Sequence, residues 1–226
     1  MGPAYPQQMY EDAQKCVDDP SHTFRYNHCM LYEHTRNYIF PDEFTKVFEY
    51  SLDDTDSNYG WTNQGFIDIL GCLLLDHMCS DGEKVELEYY GNNRDGFMIS
   101  MEEELDNYLK HEYSYEETFE HHLLPWNQNK SLDNVIAGIL SRFYREFGYG
   151  FMLRWFRCIP LLQKRLPPRS LKPCDRQSGI DNFYIAASFG ACCDQYDYFC
   201  GSLQWPVSDD GREFYEKHKS DNLYDK

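Results

Sequence analysis

The sequence predicts an α+β fold dominated by helices, with a small antiparallel sheet, and three observations carry that expectation. Residues 131–166 hold the longest sustained helical periodicity and the densest apolar content in the 226-residue chain. Residues 84–101 switch to a period of two on either side of a Gly91-Asn92-Asn93-Arg94-Asp95-Gly96 turn. Residues 182–189 form a short apolar run that reads as a buried strand.

A chain of this length can bury a full core as one domain. Residues 1–226 are read as a single domain with three regions: an acidic N-terminal region, residues 1–130; a basic helical hairpin, residues 131–166; and a C-terminal region, residues 174–226. The formal charge is −17, from 38 acidic and 21 basic residues. Its distribution matters more than its total. Residues 1–130 hold 26 acidic and 8 basic side chains, 131–180 hold 3 and 9, and 181–226 hold 9 and 4. An anionic front half is thus followed by a positive spine.

Taken in order, residues 1–20 show no clear period and read as a loosely attached start. Residues 21–40 are rich in Tyr, His and Phe and fit helix or strand equally. Pro41-Asp42-Glu43 reads as the first turn of a short helix with Phe44, Val47 and Phe48 inward. Thr62 can cap a helix through residue 80, whose apolar positions Phe66, Ile69, Leu70, Leu73 and Leu74 make it a core element. Beyond the hairpin at 84–101, Ser100 with Glu103 and Ser114 with Glu117 have capping-box spacing, predicting helices through about His111 and Leu124.

In 131–166, Val135, Ile139, Phe143 and Phe147 fall four apart and Ile136, Leu140 and Tyr144 form the adjoining column, a wide stripe that needs a partner. Gly148 is the natural stop, after which Phe151, Met152, Trp155, Phe156 and Ile159 resume the pattern, and Pro160 is expected to kink or end the second helix. This hairpin is expected to pack against the 62–80 helix. A short polar helix from about Asp209 to Lys219 closes the chain.

Chemical motifs are few. Asp54, Asp56 and Asn58 have the spacing of the first three ligands of a calcium loop, but Tyr59 takes the glycine place and Gly65 that of the bidentate glutamate. His111-Glu112 begins like H-E-x-x-H, but Tyr115 stands where the second histidine belongs. No phosphate-binding glycine loop and no G-x-S-x-G occurs. Metal ligands and cofactors are therefore not expected. Glu117, His121 and His122, joined by cysteines, remain the material for an alternative reading, a metal-dependent or thiol enzyme.

Nine cysteines without a C-x-x-C pair, behind an opening that lacks the basic and apolar regions of a signal peptide, predict reduced thiols and a cytoplasmic protein. Most are expected to be buried as small hydrophobes, the vicinal Cys192-Cys193 included, although such a pair can also bind soft metals. The charged residues within 143–162 exclude a membrane span.

The charge argues against direct nucleic-acid binding, because phosphate contacts come from Lys and Arg. It suits a basic protein partner. Nineteen tyrosines, many among acids, add contact area at small entropic cost. The expected function is an acidic intracellular inhibitor that engages a basic nuclease or other nucleic-acid-handling protein, as a virus uses against host defence or a bacterium as immunity to a toxin. The candidate contact residues are Asp53, Asp54, Asp56, Glu102, Glu103, Glu104, Tyr108, Tyr113 and Tyr115, with no catalytic residue assigned.

Overall fold

The computed structural model describes residues 5–22, 92–111, 114–120, 133–166 and 174–221, together with 47, 48, 65, 66, 69, 70, 72, 86 and 87. In chain order its helices are α1, Tyr5–Asp18; α2, Arg94–His111; α3, Asp133–Phe147; α4, Tyr149–Leu162; α5, Arg176–Ala191; and α6, Asp209–His218. A 3₁₀ turn, Gln163–Arg165, follows α4, and π turns occupy Glu116–Glu120 and Asp197–Ser202.

The α+β expectation is overturned: the described residues are helix-dominated, with strand pairing confined to one two-residue ladder. The predicted hairpin shrinks to two antiparallel residue pairs, Glu86 with Asn93 and Leu87 with Asn92. Its second arm is α2. Phe97, Met101, Leu105 and Tyr108 are all buried, while Ile99 is half exposed at 49%. Alternation at 97, 99 and 101 therefore gave way to spacings of three and four. Ser100 lies inside α2 and does not open it.

Residues 182–189 are the second correction. They belong to α5, whose N-cap Asp175 accepts from the Ser178 N–H at 2.9 Å. Every residue from Gly179 to Ala191 is buried, Asp181, Asn182 and Ser188 among them, and a helix buried on every side belongs in the centre of a fold. The other helices supply its walls: α4 lies along α5, α6 packs on α5, and α2 lies along α3.

The hairpin forms with the stop where the sequence places it. Gly148, at φ +69°, separates α3 from α4 and donates its N–H to Tyr144 O at 2.8 Å. This left-handed conformation suits a residue without Cβ. Pro160 does not end α4 but sits exposed inside it. On α3, Gly138 lets α2 approach, since a Cβ there would collide with the Met101 carbonyl oxygen and stand 2.9 Å from Leu105 Cβ.

The core is a continuous aromatic cluster. Trp155 of α4, fully buried, lies 4.9 Å from both Phe66 and Phe183, and 5.6 Å from both Phe48 and Phe151. The expected packing of the hairpin on the 62–80 segment is present in that Phe66 contact, and Phe66, Ile69 and Cys72 are helical and buried. Phe183 of α5 then reaches Trp205 at 5.1 Å, and Trp205 meets Tyr115 at 5.0 Å and Phe119 at 5.4 Å.

Two terminal segments differ in outcome. The start of the chain is helical, and Asp12, 1% exposed, pairs with His22 Nε2 at 2.8 Å. At the other end α6 forms as expected, with Ser208 Oγ accepting from the Gly211 N–H at 3.1 Å.

Candidate functional site

Successive residues of a helix point about 100° apart, so three adjacent glutamates cannot share one face. On α2 they meet three environments. Glu102 is half-buried and holds α3, accepting from Arg145 Nε and Ser141 Oγ, both at 2.5 Å. Glu103 is exposed. Glu104 is buried at 4% exposure. One turn on, Asp106 pairs with Arg142 at 2.7 Å, a bond that helps to hold the guanidinium of this partly buried arginine protonated.

The two tyrosines assigned to the contact surface within the described residues are core residues. Tyr108, 2% exposed, donates its hydroxyl to Leu203 O, and burial raises its phenol well above the ordinary range. Tyr115, 3% exposed, stacks on Phe119 at 4.9 Å with the Arg176 guanidinium 5.5 Å from its ring centre. Tyrosine's ring favours burial once its hydroxyl finds an acceptor, and that preference overrides its use as contact surface here. Of the candidates described, Glu103 alone is exposed. Asp53, Asp54, Asp56 and Tyr113 lie outside the described residues.

Arginines of the basic spine are taken up by the chain itself. Besides Arg142 and Arg145, Arg154 donates to Gly190 O at 2.6 Å, and Arg165, 10% exposed, reaches Asp181 at 3.4 Å and Asp210 at 2.9 Å. Three of these arginines thus pair with carboxylates and one with a carbonyl, while Arg157 and Lys164 are exposed.

Exposed carboxylates that the sequence pattern does not single out lie toward the C-terminus: Asp197, Asp209 and Glu213. Beside them Arg212 stacks over Tyr196 at 4.3 Å and stands 3.9 Å from Asp194. Asp194 is structural, accepting from the Tyr184 hydroxyl at 2.7 Å and the Tyr196 N–H at 2.8 Å. The available signal is the placement of Asp197 and Asp209 in the first turns of helical segments, where negative charge is favoured and solvent is near.

The alternative enzyme set is not assembled among the described residues. Glu117 serves the predicted capping box, accepting from the Ser114 N–H at 2.9 Å while its own N–H donates to Ser114 Oγ at 3.2 Å. His121 and His122 lie outside the described residues. Among the described residues, no three His, Cys, Asp or Glu side chains converge as metal ligands. Nor is any helix there long and apolar enough to cross a membrane.

Four phenols share one electrostatic direction. Burial, the largest cause in each case, raises Tyr108 and Tyr184 far above the usual value and pushes Tyr198 and Tyr215 up to about 12. The unfolded chain releases these protons near pH 10. Above that pH the folded state holds more protons, so stability is complete below about pH 10 and is lost as the pH rises through about 12. In an alkaline titration, phenolate absorbance is expected to reach completion only as the helical circular dichroism collapses. Complete, reversible ionisation with intact helices would contradict the burial.

No protein-family model, curated protein or solved structure matches this chain.

Proposed function

We propose that the chain is an acidic, cytoplasmic protein-binding inhibitor whose partner is a basic, nucleic-acid-handling protein, in a setting of viral anti-defence or toxin immunity. The observation that carries this reading is the internal pairing of the basic spine. Arg142, Arg145 and Arg165 are bound to Asp106, Glu102, Asp181 and Asp210, and a chain of formal charge −17 keeps a large excess of carboxylates beyond those pairs. Such an excess repels phosphate backbones and steers positively charged proteins toward it.

Glu102 and Glu104 are fold residues, so the test uses exposed carboxylates. Glu103, Asp197 and Glu213 are replaced together by lysine, and binding to a panel of basic nucleases is measured by calorimetry against acidic proteins of similar size. At least one basic nuclease is expected to bind the unmodified chain. Its affinity should fall roughly tenfold in the variant and again as salt rises from about 50 to about 300 mM. No binding to any basic protein, or binding indifferent to salt and to the three reversals, would end this reading.

A further inference from the structure

The thiols divide by burial. Cys72, Cys158 and Cys174 are buried, Cys16 and Cys200 are half-buried, and Cys192 and Cys193 are exposed. The vicinal pair therefore does not behave as two small core hydrophobes, the role that adjacency in the sequence suggests.

Local backbone explains why they face out. α5 ends in a Schellman-type closure in which the Cys193 N–H reaches Ser188 O at 3.2 Å and Cys192 takes a left-handed conformation, φ 58°, ψ 23°. A glycine is the usual occupant of such a position, because a side chain there costs about 1 kcal/mol. Gln195 Nε2 donates to Cys193 Sγ at 3.0 Å, so an outer donor is already placed on a sulfur that would act as a ligand. Being adjacent in the chain and both exposed, the two side chains leave from the same helix end.

We propose that Cys192 and Cys193 form a dithiol site that captures a soft, thiophilic centre of the trivalent arsenic class through both sulfurs at once. Thiolates select soft centres over hard ones. A direct disulfide between the two is disfavoured. Neighbouring Cα atoms stand about 3.8 Å apart, below the roughly 4.4–6.8 Å that disulfide geometry prefers. An atom inserted between the sulfurs removes that constraint. The negative end of α5 and the adjacent Asp194 disfavour anionic ligands and leave neutral or cationic species.

Phenylarsine oxide is the probe. Two As–S bonds form, the As=O oxygen leaves as water with the two thiol protons, and no electrons are transferred. The reduced, full-length chain is expected to take up one equivalent, seen by intact mass, with the adduct mapped by peptide analysis to Cys192 and Cys193. A dithiol should release it and a monothiol should not. C192S and C193S, both at exposed positions, should keep their helical circular dichroism and each lose arsenical affinity at least about 100-fold, because two-point attachment is gone. Uptake unchanged in either single variant, an adduct confined to other cysteines, or no adduct at all would overturn the proposal.

Discussion

Asp181→Ala is expected to lower the free energy of unfolding by about 3 kcal/mol, at the lower end of what removing one partner of a buried charge pair costs. Asp181 is 2% exposed on the central helix. Its carboxylate accepts from the Ser208 N–H at 2.9 Å, Ser208 Oγ at 2.6 Å and Gln177 Nε2 at 2.9 Å, with Arg165 at 3.4 Å. Deleting it strands those donors and unfixes Ser208, which caps α6. Arg165 keeps Asn182 Oδ1 and Asp210, each at 2.9 Å, which holds the loss below the top of the range. Asp210→Ala is the control: its side chain is 86% exposed, and the loss there should stay under about 1 kcal/mol. Urea unfolding followed by circular dichroism measures both, and equal effects from the two variants would show that Asp181 is not the node.

Trp155→Ala is expected to cost about 3–5 kcal/mol. The indole is fully buried among Phe48, Phe66, Phe151 and Phe183, so removing it opens a void bordered by three separate stretches of the chain. Its Nε1–H has no hydrogen-bond partner among the described residues, so burial and ring packing dominate its contribution. Trp155→Phe, which keeps a ring and removes the unmatched donor, should therefore lose much less. A loss under about 1.5 kcal/mol for the alanine variant would mean that the cluster does not join the front half to the hairpin.

What could be read from the residues divides along periodicity. Helices α4 and α6 each have one apolar face and one wet face, which prints a period on the sequence; α3 keeps the apolar period although 134–141 are all buried, and Gly148 marks the break between α3 and α4. Helix α5 has no wet face and hence no period. Its run Ile185-Ala186-Ala187-Ser188 fits a strand as well as a helix until Asp175 and Ser178 are recognised as a cap. In α2 the pair Phe97 and Met101 satisfies spacings of two and of four, and the burial of Leu105 and Tyr108 settles the choice.

The candidate surface was legible as a charge total and not as a face. Which carboxylate turns outward depends on what the neighbouring helix offers. Glu102 found Arg145 and Ser141, while Glu103 found solvent. Tyr108 and Tyr115 were assigned by composition, and composition does not say whether a phenol ends against Leu203 O or in water.

Because the helix walled in on every side spans 176–191, it leaves the ribosome only after α1 to α4 have been made. Until then the flank of α4 that lies along α5 has nothing permanent to close on. At roughly 5–20 residues per second the earlier segments wait for seconds with oily surface uncovered. The window for aggregation or chaperone capture thus falls between the emergence of α4 and that of α5, and a stop codon before α5 yields a chain unable to complete its interior.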